Sequence, residues 1–175
     1  MKLISESTAI DLLGRIRGDL RETVRGGYEH RALACSACPN PGACCTDEHF
    51  VNVRVTRLEA AAIGKRLAEL PAEVRGRVRR RAEEQIERHR LDETLDPTRT
   101  YACPLFEKGV GCLVHEAAKP LPCITHACYE READLPPDEL LDEREAQVAE
   151  LNRKVYGRDE VPLPIPVAIA PRTTA

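Results

Sequence analysis

Eight cysteines are the residues of this sequence whose type and spacing could do chemistry. They form two groups: Cys35, Cys38, Cys44 and Cys45, and then Cys103, Cys112, Cys123 and Cys128. Cysteine thiolates bind zinc, hold iron–sulfur clusters, exchange electrons or pair as disulfides. Outside an oxidising compartment, clustered cysteines more often bind metal than form structural disulfides. The compartment and the spacing therefore decide which use is expected.

The first group opens with a C-x-x-C motif and lies in a segment rich in turn formers. Cys35 and Cys38 have the spacing at which a tight turn directs two thiolates to one metal. Residues 39–42, Pro-Asn-Pro-Gly, predict further turns before Cys44 and Cys45. Adjacent side chains tend to point apart, so this pair could supply one ligand and one nearby redox thiol, or it could serve two centres.

The second group is more widely spaced, with intervals of nine, eleven and five positions. Cys103, Cys112 and Cys123 each adjoin glycine or proline, which places them on turns that can project thiols and backbone N–H groups toward a centre. Zinc sites often use two C-x-x-C knuckles, whereas iron–sulfur clusters accept ligands from scattered loops. The spacing therefore favours an iron–sulfur cluster, with zinc, including two zinc ions sharing eight cysteines, as the alternative.

Two histidines are weaker ligand candidates. His115 follows Cys112 by three positions, and His126 lies between Cys123 and Cys128. Imidazole suits both zinc and iron, but a lone histidine is more often a hydrogen-bonding residue.

Composition predicts one small domain with a thin core. The chain has 175 residues, of which 42% are hydrophobic and only 3% aromatic. Because aromatic side chains bury the most area, a core of Leu, Val, Ile and Ala would gain from a metal that ties the loops together.

Net charge and hydropathy restrict the classes of binding partner that we expect. A net charge of −3 argues against nucleic acid and against a membrane surface as partners. No apolar run reaches the length of a membrane span, and the N-terminus does not resemble a secretory signal. We therefore expect a cytoplasmic chain whose partner is a metal ion or cluster, with any protein partner left open.

Four helices are expected to position the cysteine loops, over 7–24, 57–70, 72–91 and 138–157. Ser5 or Ser7 is expected to cap the first, Thr56 the second through a capping box with Glu59, and Asp138 the last. Alternating valines predict a strand over 50–55. The arginine run in the third helix is interpreted as a solvated face paired with its own glutamates.

The predicted fold class is α+β and mostly helical. It is a single small domain of about four helices, with one short strand region and long cysteine-bearing loops around a metal site. The domain is expected to span 1–160, with its metal-binding region at 35–128. The Pro-rich tail, 161–175, alternates proline with apolar residues over 161–166, a run that cannot be helical. It is expected to be an extended strap or a disordered end.

Taken together, these motifs resemble the YkgJ-type (CxxCxxCC) cysteine-cluster family, whose members are described as zinc- or iron-chelating. The resemblance runs over 35–128 and is carried by Cys44-Cys45, 56–60, 103–105, 111–115 and 119–123. The chain departs from the family in three ways. Five residues separate Cys38 from Cys44, Lys119 and Ile124 stand where the family has arginines, and Cys128 is additional.

The resemblance implies metal binding by the eight cysteines but little about a reaction. A flagellin lysine methylase carries a similar cluster, which suggests iron–sulfur chemistry and a link to methyl transfer. We therefore predict a metal-binding protein with its biochemical role open. The alternatives are an iron–sulfur enzyme for redox or methyl transfer and a zinc-stapled protein-interaction module. No nucleotide-binding glycine loop or acid–base pair is evident, and Glu107 and Glu116 are interpreted as surface charge.

Overall fold

Helices form most of the regular structure in the computed structural model, which describes residues 3–34, 37–93 and 96–170. Within these ranges the helices are α1 (Glu6–Gly27), α2 (Ala43–Thr46), α3 (Arg57–Ala68), α4 (Ala72–His89), α5 (Leu121–Thr125), α6 (Asp138–Tyr156) and α7 (Ile165–Ile169). The four long ones follow the predicted helices closely, and the mostly helical α+β class of a single small domain is confirmed. The short helices α2, α5 and α7 were not predicted.

Local side-chain bonds set where the long helices begin. The Ser5 hydroxyl accepts the N–H of the third residue after it and caps α1. At α3, Thr56 Oγ1 accepts the Glu59 N–H at 3.2 Å and Glu59 Oε2 accepts the Thr56 N–H at 3.0 Å, so the capping box is confirmed. The prediction that Asp138 caps α6 is wrong. Asp138 is already the first helical residue, and Pro137 occupies the cap position without a side-chain bond.

The strands in the described residues are two residues long and pair antiparallel. They are β1 (Ala32–Leu33) with β5 (Cys128–Tyr129), β2 (Arg54–Val55) with β6 (Leu163–Pro164), and β3 (Phe106–Glu107) with β4 (Gly111–Cys112). The strand predicted over 50–55 is therefore shorter than expected. Tyr101 takes the place of a strand partner, because its N–H donates to Val51 O and its hydroxyl to Val53 O.

The core lies where the long helices meet. Helix α1 packs on α3, α5 and α6, and α7 packs on α3 and α4. As predicted, aliphatic side chains dominate, with the fully buried Tyr101 ring among them. The largest fully buried side chains include Leu13, Leu20, Leu58, Ile63, Leu105, Leu121, Ile165 and Val148. The described helices contain none that is both long and apolar enough to cross a bilayer.

The Pro-rich tail crosses the domain as a strap before it becomes helical. Leu163 and Pro164 pair with β2, and α7 begins at Ile165, so the expectation that 161–166 excludes helix is wrong at its end. Pro166 is tolerated because the first turn of a helix leaves its N–H groups unpaired in any case. The Ile165 side chain is 1% exposed, and its N–H donates to Tyr101 Oη at 3.2 Å, so the strap is anchored in the core.

Candidate functional site

Four half-buried cysteines from four separate segments meet at one place. Cys45 lies in α2, Cys103 in the loop before β3, Cys112 in β4 and Cys123 in α5. Each thiol lies close enough to at least one other that their charges would interact. The Cys103 N–H also donates to Cys45 O at 2.7 Å, which joins the two halves of the site directly. We refer to these four residues as the cysteine cluster.

Cys44 lies beside this cluster because the short helix α2 turns it toward Cys45. Neighbouring residues on a helix are separated by about 100°, so they do not point apart as they would on a strand. The Cys44 and Cys45 thiols hydrogen-bond to each other. Gly42, at φ +87°, starts this turn, and a Cβ there would clash with the Phe106 ring. The glycine thus lets the first cysteine loop close onto the β3–β4 hairpin.

Of the remaining predicted ligands, Cys35 falls outside the described residues. Cys38 is half-buried in the loop ahead of α2, and Cys128 lies in β5 opposite Leu33. Among the described residues, the thiols that raise the pKa values of the cysteine cluster are its own members and Cys44. These are therefore the thiols that lie close together. Among the described cysteines, the structure therefore brings together the adjacent pair of the first group and three members of the second.

Both candidate histidines make other contacts. The His115 side chain is 54% exposed and lies 3.7 Å from Glu116. The His126 ring contacts the Phe50 ring, with centroids 5.5 Å apart. Over residues 3–34, 37–93 and 96–170, no three or more His, Cys, Asp and Glu side chains are arranged to hold a single metal ion. The donors that converge at the site are thiols.

Burial controls the protonation of these thiols. Loss of hydration raises the pKa of Cys45 and of Cys103 to about 12, with the neighbouring thiols adding to the effect. Burial likewise raises the pKa of Cys112, and it raises that of Cys123 well above the usual range. At neutral pH the metal-free cluster is therefore protonated, and a metal that binds it must displace protons.

Backbone N–H groups and two cations favour the thiolate form at the same place. The N–H groups of Leu105 and Phe106 donate to Cys103 Sγ, and the Val114 N–H donates to Cys112 Sγ. The Arg81 charge acts on Cys103, and the Lys119 charge acts on Cys112 and Cys123. These two sulfurs thus already have amide donors beside them, as metal-bound thiolates do.

The arginine face of α4 is the part of the site that sequence reasoning missed. Arg79 pairs with Glu83 at 3.8 Å, as predicted for a self-paired face. Arg77 instead donates to Glu107 Oε1 at 2.7 Å, and Arg81 Nε donates to Pro104 O at 3.0 Å. The interpretation of the whole run as solvated and self-paired is therefore wrong for two of its members.

Glu107 is also more than a surface charge. Its side chain is 20% exposed and lies between Arg77 and Arg81, so it fastens the β3–β4 hairpin to α4. Arg77 and Arg81 are four positions apart and therefore share one helix face. This i, i+4 spacing is the sequence signal that could have marked them as a pair.

Comparison with known proteins gave no relative: no family model, curated protein or solved structure matches the chain. The resemblance to the YkgJ-type family therefore stays a prediction from the residues.

Proposed function

We propose that this chain is a metal-binding protein whose cysteine cluster coordinates an iron–sulfur cluster, with zinc as the alternative. The convergence of Cys45, Cys103, Cys112 and Cys123 carries this proposal. These four thiols lie together, half-buried, although they come from four segments, and they are not joined as disulfides. Four thiols are the complement of a [4Fe–4S] cluster. A single zinc ion also takes four ligands, but these side chains would have to rearrange to hold it, since no three of the described donors are arranged around one ion.

The surroundings of the thiols support the same proposal. Metal-bound thiolates need hydrogen-bond donors and nearby positive charge. Amide N–H groups and the cations Arg81 and Lys119 provide these around Cys103 and Cys112. The bound centre would supply a cross-link between the segments or an electron-transfer site. In either case, the chain's own residues hold the ligands, direct N–H groups to sulfur and exclude water.

The choice of iron–sulfur over zinc follows from the origin of the ligands. Each member of the cysteine cluster comes from its own segment, and Cys38, the member of the C-x-x-C motif that the structure describes, is not among them. Scattered single ligands suit a multi-atom cluster better than the paired knuckles typical of structural zinc.

We further propose that the chain works in the reducing environment of the cytoplasm. The thiols of the cysteine cluster, Cys38 and Cys44 are free, which is the state that such a compartment maintains.

Metal analysis of protein purified without oxygen tests the proposal. With iron supplied during expression, we expect brown protein that contains iron and acid-labile sulfide. A Cys103→Ser/Cys123→Ser variant should lose both, and Cys38→Ser is the matched control. Stoichiometric zinc without iron or sulfide would show that zinc is the metal. Retention of neither metal by the unmodified chain would overturn the proposed function.

A further inference from the structure

A single peptide group connects Arg81 to the cysteine cluster. Its oxygen, Pro104 O, accepts a hydrogen bond from Arg81 Nε at 3.0 Å. Its amide, the Leu105 N–H, donates to Cys103 Sγ. Because a trans peptide is planar, its C=O and N–H point in opposite directions. Arg81 therefore holds the outer end of the peptide whose inner end faces the sulfur.

The Arg81 side chain is itself held in place. It is 29% exposed and lies 3.8 Å from Glu107, which Arg77 contacts at 2.7 Å on its other side. Arg81 also projects from the turn of α4 that buries Val78 and Ala82 in the domain. A rigid helix thus fixes the guanidinium group, and the guanidinium group fixes the loop.

The bond from Arg81 also affects the far end of the peptide. A guanidinium group has donors only, and a charged donor bonded to a peptide oxygen polarises that peptide. The polarised peptide is a stronger donor at its amide end, so the Arg81 bond to Pro104 O strengthens the Leu105 N–H as a donor.

We propose that Arg81 is a positioning residue of the metal site, which orients the Pro104–Leu105 peptide toward the Cys103 sulfur before a metal arrives. The orientation of the peptide is a property of the metal-free chain. Its consequence for metal retention rests on the proposed function above.

Amide hydrogen exchange in the metal-free protein tests the orientation directly. In Arg81→Gln, we expect the Leu105 amide to exchange severalfold faster, because the peptide is no longer held from outside. Arg79→Gln is the matched control on the same helix, since Arg79 pairs only with Glu83 among the contacts described above. Amides within α4 serve as the internal reference for a general loss of stability.

Metal retention tests the consequence. Protein reconstituted anaerobically with Fe²⁺ and sulfide is challenged with an iron chelator, and the visible absorbance of the centre is followed. Loss of an outer-shell partner typically weakens a metal site about 10- to 100-fold, so Arg81→Gln should release iron faster by a factor of that order. Arg81→Lys, which keeps the charge but not the planar fork, should lie between it and the unmodified chain.

The outcomes separate the two proposals. Unchanged Leu105 exchange in Arg81→Gln would overturn the positioning role, whether or not the chain binds metal. Faster Leu105 exchange in a chain that retains no metal would support the positioning role and overturn the proposed function. If amides throughout α4 exchange faster in Arg81→Gln, the helix itself has lost stability. Glu107→Gln then becomes the deciding variant, because it leaves the Arg81–Pro104 bond in place. If the Leu105 amide exchanges as fast in Glu107→Gln as in Arg81→Gln, the role of Arg81 is merely structural.

Discussion

Two regions of this molecule bury ionisable side chains, and they balance charge in different ways. In the helical region, Arg17 of α1 faces Glu59 of α3 at 3.9 Å, with the two side chains 4% and 6% exposed. There a cation and an anion offset each other within the chain. The cysteine cluster instead brings together four half-buried groups of the same kind, and loss of hydration keeps them neutral by raising the pKa of each thiol. The helical region is complete by itself, whereas we infer that the cysteine region is completed by a metal.

The helical pair should show the largest effect on folding. Arg17→Met leaves the Glu59 carboxylate buried without its counter-charge, and breaking a buried pair in this way costs about 3–5 kcal/mol. We expect that loss in the free energy of unfolding measured with urea. The double variant Arg17→Met/Glu59→Gln should recover most of it, because Gln removes the charge and keeps a capping acceptor for Thr56. A stable Arg17→Met single variant would contradict the pairing.

The adjacent residues Cys44 and Cys45 test which thiols of the cysteine region bind the metal. If four ligands share a binding free energy of about 10–16 kcal/mol, then Cys45→Ser should lose roughly a quarter of it, about 3 kcal/mol or at least a hundredfold in affinity. Cys44→Ser should retain the centre, because Cys44 contacts the cluster through Cys45. Chelator competition on the two loaded variants measures the difference. Equal losses would mean that Cys44 is a ligand as well.

Alkaline pH should affect the metal-free cysteine region in a predictable direction. Below the ordinary thiol pKa of 9.0, folded and unfolded chains are both protonated. Between that pH and about 12, the unfolded chain loses protons that Cys45 and Cys103 keep in the folded state. Stability is therefore fully present below pH 9 and falls above it, by up to about 1.4 kcal/mol per pH unit for each thiol.

Urea unfolding of the metal-free chain at pH 8 and pH 10 checks this direction. Metal-loaded protein is the control, since its thiolates have already lost their protons. Equal unfolding free energies at the two pH values in the metal-free chain would contradict buried neutral thiols.

The smallest expected effect is at the capping box of α3. Thr56→Ala removes the acceptor for the Glu59 N–H and should cost about 1 kcal/mol of unfolding free energy. The affinity for metal should not change, because Thr56 belongs to the helical region. A parallel loss of metal affinity would show that the two regions are coupled more tightly than their contacts indicate.

The long helices could be predicted because their signals are local. Ser5 and Thr56 provide caps, Pro71 and Gly157 mark boundaries, and apolar residues recur at helical spacing. The short helices α2, α5 and α7 could not be predicted, because four or five residues are too few to show helical periodicity. Helices of this length depend on packing for their stability. For the same reason, the start of α7 inside the Pro-rich tail was missed.

The sequence predicts which residue types form the site, but it does not predict which individual cysteines meet there. Clustered cysteines indicate thiol chemistry, but only the fold shows that Cys45 meets Cys103, Cys112 and Cys123. The role of Arg81 was hidden in a run of similar arginines, because the run does not reveal which of them faces the cysteine loop. Contacts between residues distant in sequence set both features. The local pattern shows that Arg77 and Arg81 share a helix face, but it does not show what that face contacts.

Thiol alkylation mapped by mass spectrometry tests the central claim most directly. Protein purified without oxygen is treated with iodoacetamide before and after the metal is removed with a chelator in the absence of denaturant. The account predicts that Cys45, Cys103, Cys112 and Cys123 are protected together before removal and react together, and faster, afterwards, while Cys38 reacts at the same rate in both samples. Metal-bound protein in which any of the four reacts as readily as the stripped chain would contradict a shared centre.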